Sequence, residues 1–316
     1  MTPSQASDFA IYTTGLTKSF GSHNAVDSID LRVPKGSIFG FLGPNGSGKT
    51  TTIRMLMALA KVSAGEIQIL GHAIPQDAGK ALPKVGALVE GPAFYPYLSG
   101  RDNLIRFDAA DRFADPATRK DRVNAALTRV GLMQAAEKKV HAYSLGMKQR
   151  LGIANALLQP RELLVLDEPT NGLDPQGTRE VRNLIRALAE EGITIFLSSH
   201  LLTEIENICS HLAVMSQGKI VAQGSIAELS QSPTLNLTLI TPDTDRATQA
   251  LASLGIKATV EKNTLTATIA SDLIKTEQIV RQLVELGVNV ELFTLLAPTL
   301  EEQFVGLTGE GFDVAR

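Results

Sequence analysis

Two segments of the chain carry residue types whose spacing suits phosphate chemistry. The first, Gly43-Pro-Asn-Gly-Ser-Gly-Lys-Thr50, fits the pattern G-x-x-x-x-G-K-[ST]. Glycines let successive backbone N–H groups converge on one centre, and a helix starting after them adds the positive end of its dipole. A nucleotide's phosphates suit such a centre. Lys49 would reach the β- and γ-phosphates, and the Thr50 hydroxyl would ligate Mg²⁺. The candidate nucleotide-binding set is therefore Gly43, Pro44, Asn45, Gly46, Ser47, Gly48, Lys49, Thr50 and Thr51. No Asn-Lys-x-Asp follows to read guanine, so the expected nucleotide is ATP. The second segment, Leu163-Leu-Val-Leu-Asp-Glu168, is an apolar run ending in two carboxylates. A buried strand would deliver Asp167 to Mg²⁺ and Glu168 to an attacking water, as general base or positioning group. Alone, the pair reads equally well as two exposed acids at a strand end.

Positioning these groups needs short buried strands alternating with helices, and the sequence has that pattern up to about residue 229. Ser37–Leu42 reads as a strand and Lys49–Leu59 as the helix after it. Leu163–Leu166 and Ile193–Leu197 are further buried strands, and Leu212–Ser216 with Lys219–Ala222 form a hairpin about Gln217-Gly218. Such alternation predicts an α/β fold with a largely parallel sheet. Residues 1–8 are polar and expected to fray, and Ser230–Thr234 is the expected linker.

Beyond the linker the pattern changes. Leu235, Leu237 and Leu239 alternate; Ala247, Ala250, Leu251 and Leu254 follow helical spacing, closed by Gly255. Ile256–Val260 and Leu265–Ile269 alternate, Ile279, Val280, Leu283 and Leu286 mark a second helix, and Val288–Leu292 a last strand. That is β-α-β-β-α-β, a small ferredoxin-like α+β module.

Composition narrows the function classes. The chain has 316 residues, enough for about two domains. Lys+Arg 30 against Asp+Glu 33 gives a net charge of −3, which argues against a nucleic-acid partner or direct adhesion to an anionic membrane. Cys209 is the only cysteine, excluding an intrachain disulfide and a cysteine-rich zinc site. The first basic residue is Lys18, and no apolar run reaches the roughly 18 residues of a membrane span. The expectation is a cytoplasmic protein.

Further motifs stand in a telling order. Tyr143-Ser-Leu-Gly-Met-Lys-Gln-Arg150, Asp167-Glu-Pro-Thr-Asn-Gly-Leu-Asp174 and Ser198-Ser-His200 follow the phosphate loop as they do in the ABC-transporter ATPases, which the chain resembles over residues 9–229. The resemblance implies a P-loop ABC ATPase domain with a helical subdomain over 9–229, and a C-terminal accessory or regulatory domain over 235–316. It implies that Phe20, in Leu16-Thr-Lys-Ser-Phe-Gly21, stacks on adenine, although a core aromatic is the competing reading. Ser144 and Gly146 occupy the family's signature loop, which meets the ATP of an opposing subunit, and Asp174 matches an aspartate that touches the partner's phosphate loop. A homodimer with two shared sites follows. His200 matches the histidine that contacts the γ-phosphate and holds Glu168 and water in line, so the catalytic set is Glu168, His200 and Lys49.

Two departures mark a branch of that family. The signature reads Ser144-Leu-Gly-Met147, and Glu90 stands where a glutamine usually joins the magnesium shell, giving Thr50, Glu90 and Asp167 as the Mg²⁺ set. Both are similar to the bacitracin-export and lantibiotic-immunity ATPases. Phe94, Tyr95, Tyr97, Phe107 and Phe113 cluster just after Glu90, where the family forms a groove for a helix of its permease; packing within the helical subdomain is the alternative. The resemblance implies an ATP-hydrolysing subunit driving a separate integral membrane permease from the inner face of the membrane, for export of antimicrobial peptides, drugs or lipids. The competing class is a soluble ABC ATPase working on ribosomes or DNA. Against it stand the one phosphate loop, the absence of a heptad run and the net charge.

Overall fold

The computed structural model describes residues 8–91, 93–231, 234–270 and 275–308. The polar first residues, Ser232 and Pro233 of the expected linker, and residues 309–316 lie outside these. The chain divides between Ile226 and Ala227 into two compact units.

The first unit opens with antiparallel strands β1 (Phe9–Phe20), β2 (His23–Ile29) and β3 (Arg32–Pro34), followed by β4 (Ile38–Leu42) and helix α1 (Lys49–Leu56). Strands β5 (Ala64–Ile69) and β6 (His72–Ile74), the short helix α2 (Ala78–Ala81) and strand β7 (Val85–Leu88) come next. Helices α3 (Gly100–Ala110), α4 (Arg119–Arg129) and α5 (Leu145–Ala156) form the helical part. Then β8 (Leu163–Leu166), α6 (Pro175–Glu190), β9 (Thr194–Ser199), α7 (Leu202–Ile208) and the hairpin β10 (His211–Ser216) and β11 (Lys219–Ser225) complete it. Helix α8 (Ile226–Leu229) follows.

Two sheets result. One has the order β2-β1-β5-β6, with β3 also paired to β1. The other has the order β11-β10-β4-β9-β8-β7 and is parallel except for β11. Its central strands are continuous apolar runs because both faces are covered: every residue of β8 and β9 is buried. Phe39, Phe41 and Phe196 pack ring on ring between 5.5 and 5.9 Å. Leu42 pairs with Ser199 and Leu166 with Leu197, so the loops leaving β4, β8 and β9 emerge side by side at the strands' carboxyl ends. That edge is where parallel sheets place ligands.

Helix α1 stops three residues short of the expected Leu59, because Ala58 turns to a positive φ of 56°. The hairpin turns through Gln217 and Gly218, both at positive φ, as a two-residue turn requires.

The second unit runs β12 (Thr234–Ile240), α9 (Thr244–Ser253), β13 (Thr259–Glu261), β14 (Thr264–Ala270), α10 (Thr276–Glu285), β15 (Leu292–Leu296) and α11 (Leu300–Thr308). Its sheet order β13-β14-β12-β15, antiparallel throughout, is the split β-α-β arrangement of a ferredoxin-like module. The last strand lies later than the expected Val288–Leu292. Gly287 takes a positive φ and the Val288 N–H donates to the Leu283 carbonyl at 3.0 Å, so Val288 closes α10 instead of opening a strand. Ile256 closes α9 in the same way, which shortens β13. Helix α11, absent from the sequence reading, buries Leu300 and Phe304 at helical spacing. Among the described residues no helix is long and apolar enough to cross a membrane.

One ion cluster holds the helical part together. Asp108 of α3, buried, accepts from Arg119 Nε at 2.9 Å and from Arg122 Nε and Nη2 at 2.8 Å each. Burial pushes its carboxyl up, but the hydrogen bonds from Arg122 and Arg119 outweigh this and hold it below its ordinary value. Removing it leaves the part-buried Arg122 and Arg119 guanidinium groups without this acceptor, so Asp108→Ala should cost about 2 kcal/mol in denaturant unfolding. Because the folded carboxyl is the stronger acid, the contribution is present at neutral pH and is lost only as the pH falls through that lowered value. Equal stability of variant and parent at pH 7 would contradict this.

Candidate nucleotide site

Helix α1 begins at Gly48, which has φ 109° and leaves the helix with no side-chain cap. Its first N–H groups therefore point outward without a side-chain partner, the usual condition for binding an anion. Two further observations fit phosphate there. The Ser47 hydroxyl is buried without a hydrogen-bond partner, and Gly46, at φ 81°, faces open space. Gly48 itself has no room to spare, since a Cβ there would lie 2.4 Å from the Ala25 carbonyl oxygen. Pro44 and Thr50 are half-buried and Asn45 is exposed at the loop's rim, while Thr51 lies in the first turn of α1.

Lys49, 5% exposed, donates to the Gly43 carbonyl at 2.6 Å and the Pro44 carbonyl at 3.2 Å, and its Nζ lies 3.6 Å from Glu168 Oε1. Burial pushes the ammonium's pKa down, and the Glu168 carboxylate only partly opposes the shift. Glu168 closes the other side of the cluster, with Oε2 3.1 Å from His200 Nδ1. It sits at φ 47°, a strained conformation for a non-glycine residue, of a kind that collects at functional sites. Next to it, Asp167 is buried at the end of β8. Ser198 binds both acids: its hydroxyl donates to Asp167 Oδ1 at 2.6 Å and accepts the Glu168 N–H at 2.9 Å.

The structure thus gathers Lys49, Asp167, Glu168 and His200 at the ends of adjacent strands. The expected signature-loop residues line a different groove. Ser144 caps α5 by accepting the Met147 N–H at 3.2 Å, and Asp174 caps α6 by accepting the Gly177 N–H at 2.8 Å. With Gly146 they line a separate groove of about 500 Å³, built from Ser144–Met147, Arg150 and the 172–180 segment. Phe20 is no core aromatic: it is 59% exposed at the end of β1, with Lys18 Nζ 4.9 Å from its ring centroid. Glu90, at φ 62°, forms an ion pair with Arg54 of α1.

Sequence reasoning assigned no role to Ser198, which binds both acids, or to Arg54, which pairs with Glu90. A hydroxyl at the end of a fully buried strand must find a partner, and that was the available signal for Ser198. The aromatic cluster splits. Phe94 and Phe107 pack edge to face at 5.8 Å, whereas Tyr95, Tyr97 and Phe113 are 52%, 78% and 59% exposed.

A phosphate-binding loop, a buried aspartate and a carboxylate–histidine pair on one parallel sheet define a P-loop nucleotide-hydrolysing protein. The family model for ABC transporters matches residues 26–171. The bacitracin transport ATP-binding protein BcrA of Bacillus licheniformis is 40% identical over 95% of this chain and 98% of its own length. A daunorubicin resistance ATP-binding protein of Streptomyces coeruleorubidus is 34% identical over 96% and 97%. Among solved structures, cbiO1 of Clostridium perfringens, part of the ABC transporter complex cbiONQ, superposes with a TM-score of 0.64 at 28% identity, covering 70% of this chain and 90% of that one. The chain belongs to the ATP-binding subunits of ABC transporters. It is an ATPase of a transport complex, and the ribosome- or DNA-directed alternative is set aside.

Gly48→Ala tests the cradle. The left-handed φ and the fixed Ala25 carbonyl leave the loop no way to relax, so ATP affinity should fall at least about tenfold in equilibrium binding. Unchanged affinity would show that the loop does not hold the phosphates in this shape.

Proposed function

We propose that two copies of this chain sandwich two ATP molecules and drive a separate integral membrane permease from the inner face of the membrane. The observation that carries the reading is the separation of the two half-sites. Lys49, Asp167, Glu168 and His200 form one cluster, while Ser144, Gly146 and Asp174 line a groove of their own. A second copy, related by a two-fold axis, brings one copy's groove to the other's phosphate loop. Residues 9–229 serve as the ATPase domain and 235–316 as an accessory or regulatory domain.

In each composite site the loop N–H groups and Lys49 hold the β- and γ-phosphates, and Phe20 stacks on adenine. Mg²⁺ suits the donor set of one hydroxyl and one or two carboxylates, Thr50, Asp167 and Glu90, and when bound it neutralises charge on the phosphate oxygens. Ser198 fixes Asp167 for that role. Glu168 holds the attacking water and takes its proton, and His200 keeps Glu168 in line with the γ-phosphate. Closure on ATP and reopening after hydrolysis supply the stroke. Tyr95 and Tyr97, exposed after Glu90 with Phe94 behind them, offer aromatic anchors for a permease helix. The relatives named for bacitracin transport and daunorubicin resistance support export, with an antimicrobial peptide, drug or lipid as cargo.

Glu168→Gln should retain ATP and lower hydrolysis at least about a hundredfold, trapping the closed pair. Purified with ATP from gently solubilised native membranes, it should bring a multi-spanning membrane protein with it at equal stoichiometry. Continued turnover would remove Glu168 from its role, and recovery of no membrane protein would remove the permease. Glu90→Gln restores the amide usual in the family and should keep most of the ATPase activity in a steady-state assay. A dead enzyme would mean that the carboxylate itself is required.

A further inference from the structure

We propose that Glu204 is a positioning residue that sets the spacing of Glu168 and His200; the inference rests on the hydrolytic reading of that pair. Glu204 lies on α7, one turn beyond His200. Its Oε2 accepts two hydroxyl hydrogen bonds, from Thr170 Oγ1 at 2.6 Å and from Ser199 Oγ at 3.0 Å. Thr170 stands two residues after Glu168, and Ser199 immediately precedes His200. Both are buried, at 7% and 3% exposure, so neither hydroxyl has bulk water as an easy substitute partner. Glu168, Thr170, Ser199, His200 and Glu204 all line one cavity of about 230 Å³.

One carboxylate oxygen therefore grips both loops that carry the hydrolytic pair. The pair needs such a restraint. A single 3.1 Å contact joins Glu168 to His200, and Glu168 holds a strained backbone conformation that relaxation would abandon. An ionised carboxylate suits the task because it only accepts, and one oxygen has lone pairs for two donors. The loop running on from Thr170 reaches Gly172 and Leu173, which also line the groove of Ser144 and Asp174. Glu204 thus ties the geometry of the hydrolytic pair to the segment that leads into the second half-site. None of the hydrogen bonds it makes involves the phosphate loop, so its effect belongs to turnover and not to ATP binding.

The test compares the full chain with its Glu204→Ala, Glu204→Gln and Thr170→Val variants, measuring ATP affinity and steady-state hydrolysis with Mg²⁺. Misplacing a reacting group by about 1 Å costs up to about a hundredfold, so Glu204→Ala should lower kcat about tenfold or more while affinity stays within about twofold. Glu204→Gln keeps an acceptor oxygen and should regain most of that loss. Adding Thr170→Val to Glu204→Ala should cost little more, because both remove the same bond. Wild-type kcat in Glu204→Ala, a loss confined to affinity, or a Gln variant as slow as the Ala variant would each overturn the assignment. If Glu204→Ala does not fold, Thr170→Val alone decides: slower turnover at unchanged affinity supports the clamp, and full turnover refutes it. A wild-type chain without ATPase activity would instead sink the hydrolytic reading itself.

Discussion

An ammonium withdrawn almost wholly from water must be answered by nearby oxygens, and that requirement organises this site. Lys49 stands where β4 gives way to α1, among groups that a parallel sheet brings together at one edge. Two carbonyls and the Glu168 carboxylate answer it in the chain alone. None of these partners is a permanent neutraliser. The carbonyls belong to the same loop, and Glu168 is shared with His200. In the proposed composite site, a γ-phosphate entering between them would be a stronger partner than any of the three. Its arrival would also free the Glu168 carboxylate to face water. On that reading, binding and the readiness to hydrolyse are linked by a competition for one cation.

The groove proposed as the second half-site is organised by a different constraint. Ser144 and Asp174 are both spent as helix caps, each satisfying an N–H that would otherwise lack a partner. Capping fixes the two loops before any ligand arrives. The groove they line is open, as a surface awaiting another molecule must be. Rigid loops on either side of an interface avoid the ordering cost that mobile ones would bring.

How much of this was legible depended on range. The phosphate loop and the buried strands declare themselves within a dozen residues, because a glycine pattern and a continuous apolar run are local signals. The pairings around Glu168 do not. Ser198 meets Asp167, and Glu204 meets Thr170, across more than thirty positions, and nothing in their spacing announces it. In the second unit the misplaced strand shows a local ambiguity: Val288 fits an alternating strand as well as it fits a helix closure. The Gly287 turn decided for the closure. Phe20 and Phe94 each had two readings from sequence, since an aromatic ring is suited both to a core and to a contact surface, and burial separates them.

Glu90 shows how a substitution at a charged site is accommodated by the residues around it. A carboxylate in place of an amide adds one negative charge, which by itself would repel a nearby triphosphate. The chain places Arg54 against it. Arg54 lies on α1, on the same helix that starts with Lys49 and presents its amino end to the phosphates. The counter-charge is therefore carried by the phosphate-binding element and not by a distant loop. Both side chains are about half exposed, so the pair contributes at most about 1 kcal/mol and restrains the loop only weakly. A loop that carries glutamine lacks this electrostatic tie. The added carboxylate is thus met by a neighbouring counter-charge, and the pair is not a firm link between the loop and the helix.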